Sequence, residues 1–293
     1  MSKIAIIANP KARSSAGWES CERIIAAQAD MSVYMLGSAP LDTLVTEAYK
    51  RGCETIVAAG GDGTISGVAD AIVRLHIPVK LGVIPTGTLN HFAKDLAIPL
   101  DITEALQVIK AGHSKEIDLG RVNEQHFINN SSIGLYPYLV SARESLERSG
   151  VHKWLALIKT LMHIMYKRFA FEATLGSGDS ALQKNVSSIF VGNNTYTVQG
   201  FDIGSRQRLD EGKLFVAFIK ELRAFEYFRL FITVLFGSIG KSSDLDVIGL
   251  RECVISGTHA YIDVAYDGEV KSMIQPLRYS VVPLALRVIV PHI

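Results

Sequence analysis

The stretch at residues 55–67, TIVAAGGDGTISG, decides the fold. Residues 55–59 form an unbroken run without polar alternation, the pattern of a strand covered on both faces. Gly60-Gly61-Asp62-Gly63-Thr64 then ends the strand and opens a helical pattern that runs to about Leu75. Working outward, strands are predicted at 4–8, 32–36 and 79–84, and helices at 17–29 and 41–50. Continuous apolar strands alternating with amphipathic helices predict a parallel, Rossmann-like sheet with helices on both faces. In such sheets ligands sit beyond the carboxyl ends of the strands.

From about residue 122 the rhythm changes. Strands are predicted at 127–133, 169–175, 186–191, 213–219, 245–255 and 260–266, interrupted by helices at 138–148, 153–166 and 224–236. Strands without βα alternation predict an antiparallel, β-rich, sandwich-like second domain. The expected division is an α/β domain at 1–121 and a β-rich domain at 122–283. A terminal strand at 284–293 is free to return to the first.

Composition narrows the classes of function. The chain has 293 residues, room for two domains with real cores. Its 30 Lys and Arg against 29 Asp and Glu leave a net charge of +1, so no nucleic-acid partner is expected. A hydrophobic content of 48% with 20% charged residues excludes a disordered chain. Cys21, Cys53 and Cys253 are too few and too scattered for a disulfide framework or a zinc site. The opening MSKIAIIANP is not a signal peptide, and no segment reaches the roughly 20 apolar residues of a membrane span. A cytoplasmic protein is expected.

Three loops converge at one sheet edge. In the GGDGT loop, glycines let backbone N–H groups approach phosphates while the helix N-terminus supplies partial positive charge. Asp62 would repel a bare phosphate there. It fits a phosphate carried with Mg²⁺, a polarised attacking hydroxyl, or an ordinary helix cap. The second loop is Pro85-Thr86-Gly87-Thr88-Leu89-Asn90, and the third is Asn9-Pro10-Lys11, where Lys11 and Arg13 are available to phosphate charge. Spacing excludes two familiar alternatives. From Gly61 and Gly63 the dinucleotide fingerprint requires glycine at Ser66, and the P-loop ending at Gly240-Lys241-Ser242 requires one at Leu235. Asp267 and Glu269 follow an apolar strand and are two apart, so an extended chain places them on one face, able to hold Mg²⁺ and accept a proton. Asp267-Gly268 is equally a hairpin-turn signal.

Together these motifs resemble the diacylglycerol/sphingosine lipid kinase family. The likeness rests on Asn9-Pro10, GGDGT, the Pro-Thr-Gly-Thr-x-Asn-x-Phe-Ala run at 85–93, Asp118-Leu119-Gly120 and Phe127-Ile128-Asn129. It continues through Asp267-Gly268-Glu269 to Pro283-x-Ala285-Leu286-x-Val288. GGDGT alone is shared with NAD kinases and phosphofructokinases. The resemblance implies transfer of the γ-phosphoryl group of Mg-ATP to a lipid hydroxyl, in a cleft between the two domains. It implies ATP contacts from Asn9, Pro10, Lys11, from Gly60, Gly61, Asp62, Gly63, Thr64, Ile65, Ser66 and Gly67, and from Thr86, Gly87, Thr88 and Asn90. It implies catalytic roles for Glu269, Asp267 and Asp62, with Glu269 as proton acceptor and Asp267 near the metal. A structural Mg²⁺ is implied at Arg208, Glu211 and Lys213.

Three departures bear on this. Glu211 replaces the usual second aspartate of Asp-Asp-Gly, a longer arm at an octahedral site. His91 stands where many relatives carry aspartate, and Met35 where a threonine often contacts ATP. The helices at 153–166 and 224–236 carry two readings, peripheral docking at the inner membrane surface or a cover for the sheet. His163 is read as a packed side chain. A homodimer is compatible with the sequence. The competing functions are an NAD kinase and a catalytically weak nucleotide- or lipid-binding regulator.

Overall fold

The computed structural model describes residues 4–10, 31–134, 171–175, 182–199, 202–220 and 245–292. Lys11, Arg13, His163 and the four helices expected at 17–29, 138–148, 153–166 and 224–236 lie outside the described residues.

The first half contains β1 (Ile4–Ala8), β2 (Met31–Met35), α1 (Leu41–Lys50), β3 (Thr55–Gly60), α2 (Asp62–Arg74), β4 (Lys80–Pro85), α3 (His91–Asp95) and α4 (Ile102–Ala111). The strands lie in the order β4-β3-β1-β2, all parallel, with Ile6 beside Val57 and Val57 beside Gly82. Period-two alternation divides each strand between two cores. Ala5, Ile7, Ile56 and Ala58 meet Leu44, Val45 and Ala48 of α1 and Val68, Ala69 and Ile72 of α2. Ile6, Ala8, Val57 and Ala59 meet Leu106 and Ile109 of α4 on the other face. Helix α4 has local stop signals: the Asp101 side chain accepts from the N–H groups of Thr103 and Glu104, and Gly112 closes the helix at φ 72°.

The described residues of the second half are almost all strand: β5 (Ser114–Val122), β6 (Gln125–Phe127), β7 (Asn130–Ile133), β8 (Phe171–Leu175), β9 (Leu182–Asn193), β10 (Tyr196–Gln199), β11 (Asp202–Arg206), β12 (Leu214–Lys220), β13 (Leu245–Leu250), β14 (Glu252–Gly257), β15 (Tyr261–Tyr266), β16 (Glu269–Ile274) and β17 (Leu277–Ile289). Pairing here is antiparallel around a core that includes Phe127, Val191, Val264 and Tyr279. Two long strands splice the arrangement. The 12-residue β9 pairs with β8, β7 and β12. The 13-residue β17 pairs with β14 near its start, with β5 along its length, and in parallel with β4 at Val288–Leu81. The parallel and antiparallel halves are thereby one hydrogen-bonded sheet of 15 described strands, with β10 and β11 forming a separate hairpin sheet.

A bulge between Val282 and Leu286 lets β17 change partners. Pro283 has no N–H to donate, Leu284 takes φ 48°, and the Leu284 N–H donates to Asp118 Oδ1 at 2.9 Å. The other Asp118 oxygen accepts from Gly212 N–H at 2.7 Å. The strand expected at 127–133 is two strands, because the N–H groups of Ile128 and Asn129 turn to Asp267 rather than to a neighbouring strand. The strand expected at 245–255 divides at Arg251, with β13 pairing to β12 and β14 to β8 and β17.

Gly120 on β5 faces the Phe127 ring, and a Cβ there would lie 2.2 Å from two ring carbons. Because Phe127 is fully buried and unable to retreat, Gly120→Ala is expected to lower the unfolding free energy by about 1–3 kcal/mol, read from urea denaturation.

Candidate active site

The carboxyl ends of β1, β3 and β4 deliver the three loops to one place. The Asn9 N–H donates to Ala59 O and the Thr86 N–H to Gly60 O, each at 3.0 Å, which continues the strand pairing into the loops. The Asn9 side chain donates to Thr64 Oγ1 at 3.0 Å. The GGDGT loop and the 85–90 loop touch backbone to backbone: a Cβ on Gly87 would lie 2.5 Å from the Cα of Gly61. That approach excludes any side chain at Gly87. Asn90 holds the turn, accepting from Gly87 N–H at 3.1 Å and donating to Gly87 O at 2.9 Å, from a left-handed backbone at φ 52°.

Between these loops and the second domain lies a cleft of ≈ 410 Å³. Asn9, Gly61, Gly63, Thr64, Gly67, Gly87 and Thr88 line one side, and Glu269 closes the other. A Cβ placed on Gly63 would stand 4.0 Å from Glu269 Oε1, so the missing side chain leaves the space between helix N-terminus and carboxylate open. Leu36 and Leu41 add an apolar wall that the sequence reading missed. Their apolar runs read only as strand end and helix start.

Asp62 begins α2 but does not face this space freely. Its carboxylate oxygens accept from Phe92 N–H at 3.2 Å and His91 N–H at 3.3 Å, which caps α3 and ties the GGDGT loop to the 85–90 loop. The cap expected of Asp62 therefore belongs to a different helix. His91 contributes its backbone, with an exposed residue surface.

The carboxylate pair divides. Asp267 and Gly268 form the β15–β16 turn with φ 44° and 90°, the left-handed pair of a tight hairpin. The Asp267 side chain is buried and accepts from Ile128 N–H at 2.7 Å, Asn129 N–H at 2.8 Å, Asn130 N–H at 3.1 Å and the Ser66 hydroxyl. Burial raises its carboxyl above the ordinary aspartate value, against the pull of those four donors. With its oxygens surrounded by protein donors it is no metal ligand, a correction to the role expected for it beside Mg²⁺. Glu269 is the exposed member of the pair and the one in the cleft.

The remaining expected contacts separate by location. Ile65 is in the core, Ser66 turns to Asp267, and Gly60 lies over the Thr64 side chain, where a Cβ would meet Thr64 Cβ at 2.5 Å. Pro10 is exposed beside Asn9, and Thr86 contributes its N–H to the loop pairing. The Met35 carbonyl accepts from Ser38, and its side chain packs against the core of Ile6, Ala8 and Val57.

The loop at 208–213 does not fit a structural Mg²⁺. Glu211 Oε2 accepts from Thr195 N–H at 3.0 Å and from the Thr195 hydroxyl, and the Lys213 ammonium stands 3.5 Å away. Lys213 O accepts from Asn194 N–H at 3.0 Å, and Arg208 pairs with Asp210 at 3.0 Å. Burial works against the Glu211 charge, yet the Thr195 donors and the Lys213 ammonium hold its carboxyl below the ordinary glutamate value. An ammonium already neutralises this carboxylate, and a second cation would be repelled. Among the described residues no group of three or more His, Cys, Asp or Glu could hold a metal ion.

Asp267→Asn places amide hydrogens against N–H donors, so urea unfolding is expected to show a loss of about 2–4 kcal/mol, whereas Glu269→Gln changes stability by less than about 0.5 kcal/mol. Mg²⁺ without nucleotide is expected to leave the melting temperature unchanged. A rise that Glu211→Gln abolishes would show that the 208–213 loop does bind metal.

Two families match the chain in tandem: the diacylglycerol kinase catalytic domain at residues 3–122, and the YegS C-terminal NAD kinase beta sandwich-like domain at 157–290. A diacylglycerol kinase of Staphylococcus aureus strain JH9 is 42% identical over 99 residues, which is 34% of this chain and 31% of that protein. The match thus spans about a third of the curated relative's length. A crystal structure of a diacylglycerol kinase from Bacillus anthracis strain Sterne superposes with a TM-score of 0.68 at 20% identity, covering 99% of this chain and 97% of that one. Yeast NADH kinase complexed with NADH superposes with a TM-score of 0.54 at 9% identity, covering 99% and 84%. At such identities these structures show the fold alone. The chain thus carries a diacylglycerol kinase catalytic domain followed by a YegS-type C-terminal NAD kinase beta sandwich-like domain.

Proposed function

We propose that the chain is an ATP-dependent lipid kinase that transfers the γ-phosphoryl group to the hydroxyl of a lipid alcohol, diacylglycerol or a related lipid. The observation that carries this reading is Glu269 facing Gly63 across the cleft. A carboxylate on one side and a glycine-lined helix N-terminus on the other suit a hydroxyl and a phosphate meeting between them. Phosphoryl transfer depends chiefly on alignment and charge neutralisation.

The residues divide accordingly. Asn9, Gly61, Gly63, Thr64, Gly67, Gly87 and Thr88 would cradle the phosphate chain, with Leu36 and Leu41 against the apolar part of the nucleotide. Mg²⁺ arriving with ATP neutralises phosphate charge and needs few protein ligands, which suits a site with one free carboxylate. Glu269 orients the acceptor hydroxyl and takes its proton. Asp62 and Asp267 are positioning residues in this scheme. The acceptor as lipid is supported by the exposed Leu89 beside Thr88 and the exposed Val270 beside Glu269, apolar side chains next to cleft residues. Peripheral contact with a bilayer follows from that acceptor. Among the described residues no helix is long and apolar enough to cross a membrane.

An NAD kinase is the second reading, favoured by the fold likeness to yeast NADH kinase. The test supplies γ-labelled ATP and Mg²⁺ with detergent-dispersed diacylglycerol, monoacylglycerol, sphingosine, ceramide or phosphatidylglycerol, each separately, and with NAD in parallel. Label is expected in an extracted lipid, with Glu269→Gln lowering the rate by about 100-fold or more. Label confined to NADP would replace the proposal, and ATP binding without any transfer would favour a regulator.

A further inference from the structure

Arg206, the last residue of β11, belongs to none of the motifs above, yet its side chain is 0% exposed. A guanidinium always carries its charge, so burying it requires a complete set of partners. Nε donates to Asp95 Oδ2 at 2.8 Å, and the Arg206 backbone N–H donates to Asp95 Oδ1 at 3.3 Å. Nη1 donates to Ile128 O at 2.6 Å and to Asn193 O at 3.2 Å, and Nη2 to Asn129 Oδ1 at 2.7 Å. The guanidinium carbon lies 5.3 Å from the Tyr196 ring centroid, and the Tyr196 hydroxyl donates to Asn129 O at 2.9 Å.

What these partners do elsewhere gives the network its meaning. Asp95 ends α3, whose first turn is capped by Asp62 and whose preceding loop supplies Gly87 and Thr88 to the cleft. Ile128 and Asn129 give their N–H groups to Asp267, two residues before Glu269. The segment at 128–129 is therefore gripped from both sides, by Arg206 through acceptor oxygens and by Asp267 through donors. A chain of buried charged contacts runs from α3 through Arg206 and residues 128–129 to the hairpin that presents Glu269.

We infer that Arg206 is a positioning residue for phosphoryl transfer, setting the distance between the loop at 85–90 and Glu269. This rests on the kinase reading above. A planar fork is what the position needs: lysine offers one point charge where four separate acceptors diverge. Misalignment by about 1 Å penalises an in-line transfer heavily, while ATP would keep its contacts at Asn9, Gly61, Gly63 and Thr64 and have only those at Gly87 and Thr88 loosened. Loss of the fork therefore acts more on turnover than on ATP affinity.

Arg206→Met leaves Asp95 buried and unpaired and is expected to unfold, so the test uses Arg206→Lys and the double variant Asp95→Leu/Arg206→Met. Urea unfolding identifies which proteins are folded, steady-state kinetics with ATP and the accepted lipid follow, and amide hydrogen exchange is compared at 85–95, 128–130 and 267–269. For Arg206→Lys, kcat is expected to fall about 10–100-fold with the KM for ATP within about threefold. Exchange is expected to accelerate at both 85–95 and 128–130. Unchanged kcat in folded Arg206→Lys would overturn the inference, as would faster exchange confined to 202–206. If wild-type protein phosphorylates no acceptor, the kinase reading fails, and the exchange comparison still decides whether Arg206 couples the two elements.

Discussion

An anion taken out of water must be met by donors on every side, and the Asp267 carboxylate meets that demand with groups from two distant parts of the chain. Ser66 comes from α2, the N–H groups of 128–130 come from the approach to β7, and the carboxylate itself sits on a hairpin turn. Few arrangements of a helix, a bend and a hairpin satisfy all four contacts at once, and leaving the charge unpaired would cost several kcal/mol. The requirement converts a local charge into a long-range geometry. Tyr266 pairs with Glu269 across the turn, so fixing Asp267 also fixes where Glu269 stands relative to α2.

The acidic residues of the motifs divide by exposure rather than by proximity to one another. Asp62 caps α3, Asp118 pins the β17 bulge and the loop at Gly212, and Asp267 joins the two halves. Each has its oxygens engaged with backbone N–H groups, and Glu269 is left open to the cleft. A site whose protein contribution is mostly alignment is what phosphoryl transfer asks for. Lys213 shows the same economy. Its ammonium lies beside Glu211, where a divalent cation was expected, and the loop closes with groups already in the chain.

The parallel half was legible because its signals are local. Continuous apolar strands and a glycine turn at 60–64 predict βα units without knowledge of any partner, and β3 and α2 fall within a residue or two of the expected bounds. The antiparallel half was harder. Its strands break where the backbone is claimed from outside: at Ile128 and Asn129 by Asp267, and at Arg251 by a change of pairing partner. Strand β5 was missed because its exposed start, Ser114-Lys115-Glu116, reads as loop, although β17 covers it along its length. The α4 signals, Asp101 and Gly112, were readable and passed over.

By itself the sequence determined the fold class, the convergence of three loops at one sheet edge and the candidate residues around the cleft. Those features follow from residue type and short spacing, which operate within a few positions along the chain. Only the tertiary structure decided which candidates do which work. It turned Asp267 inward and left Glu269 outward, gave Asp62 a helix other than its own to cap, and brought Arg206 to Asp95 across 111 positions. Solvation and hydrogen-bond saturation decide whether a carboxylate can meet a substrate. Both depend on neighbours that are remote in sequence.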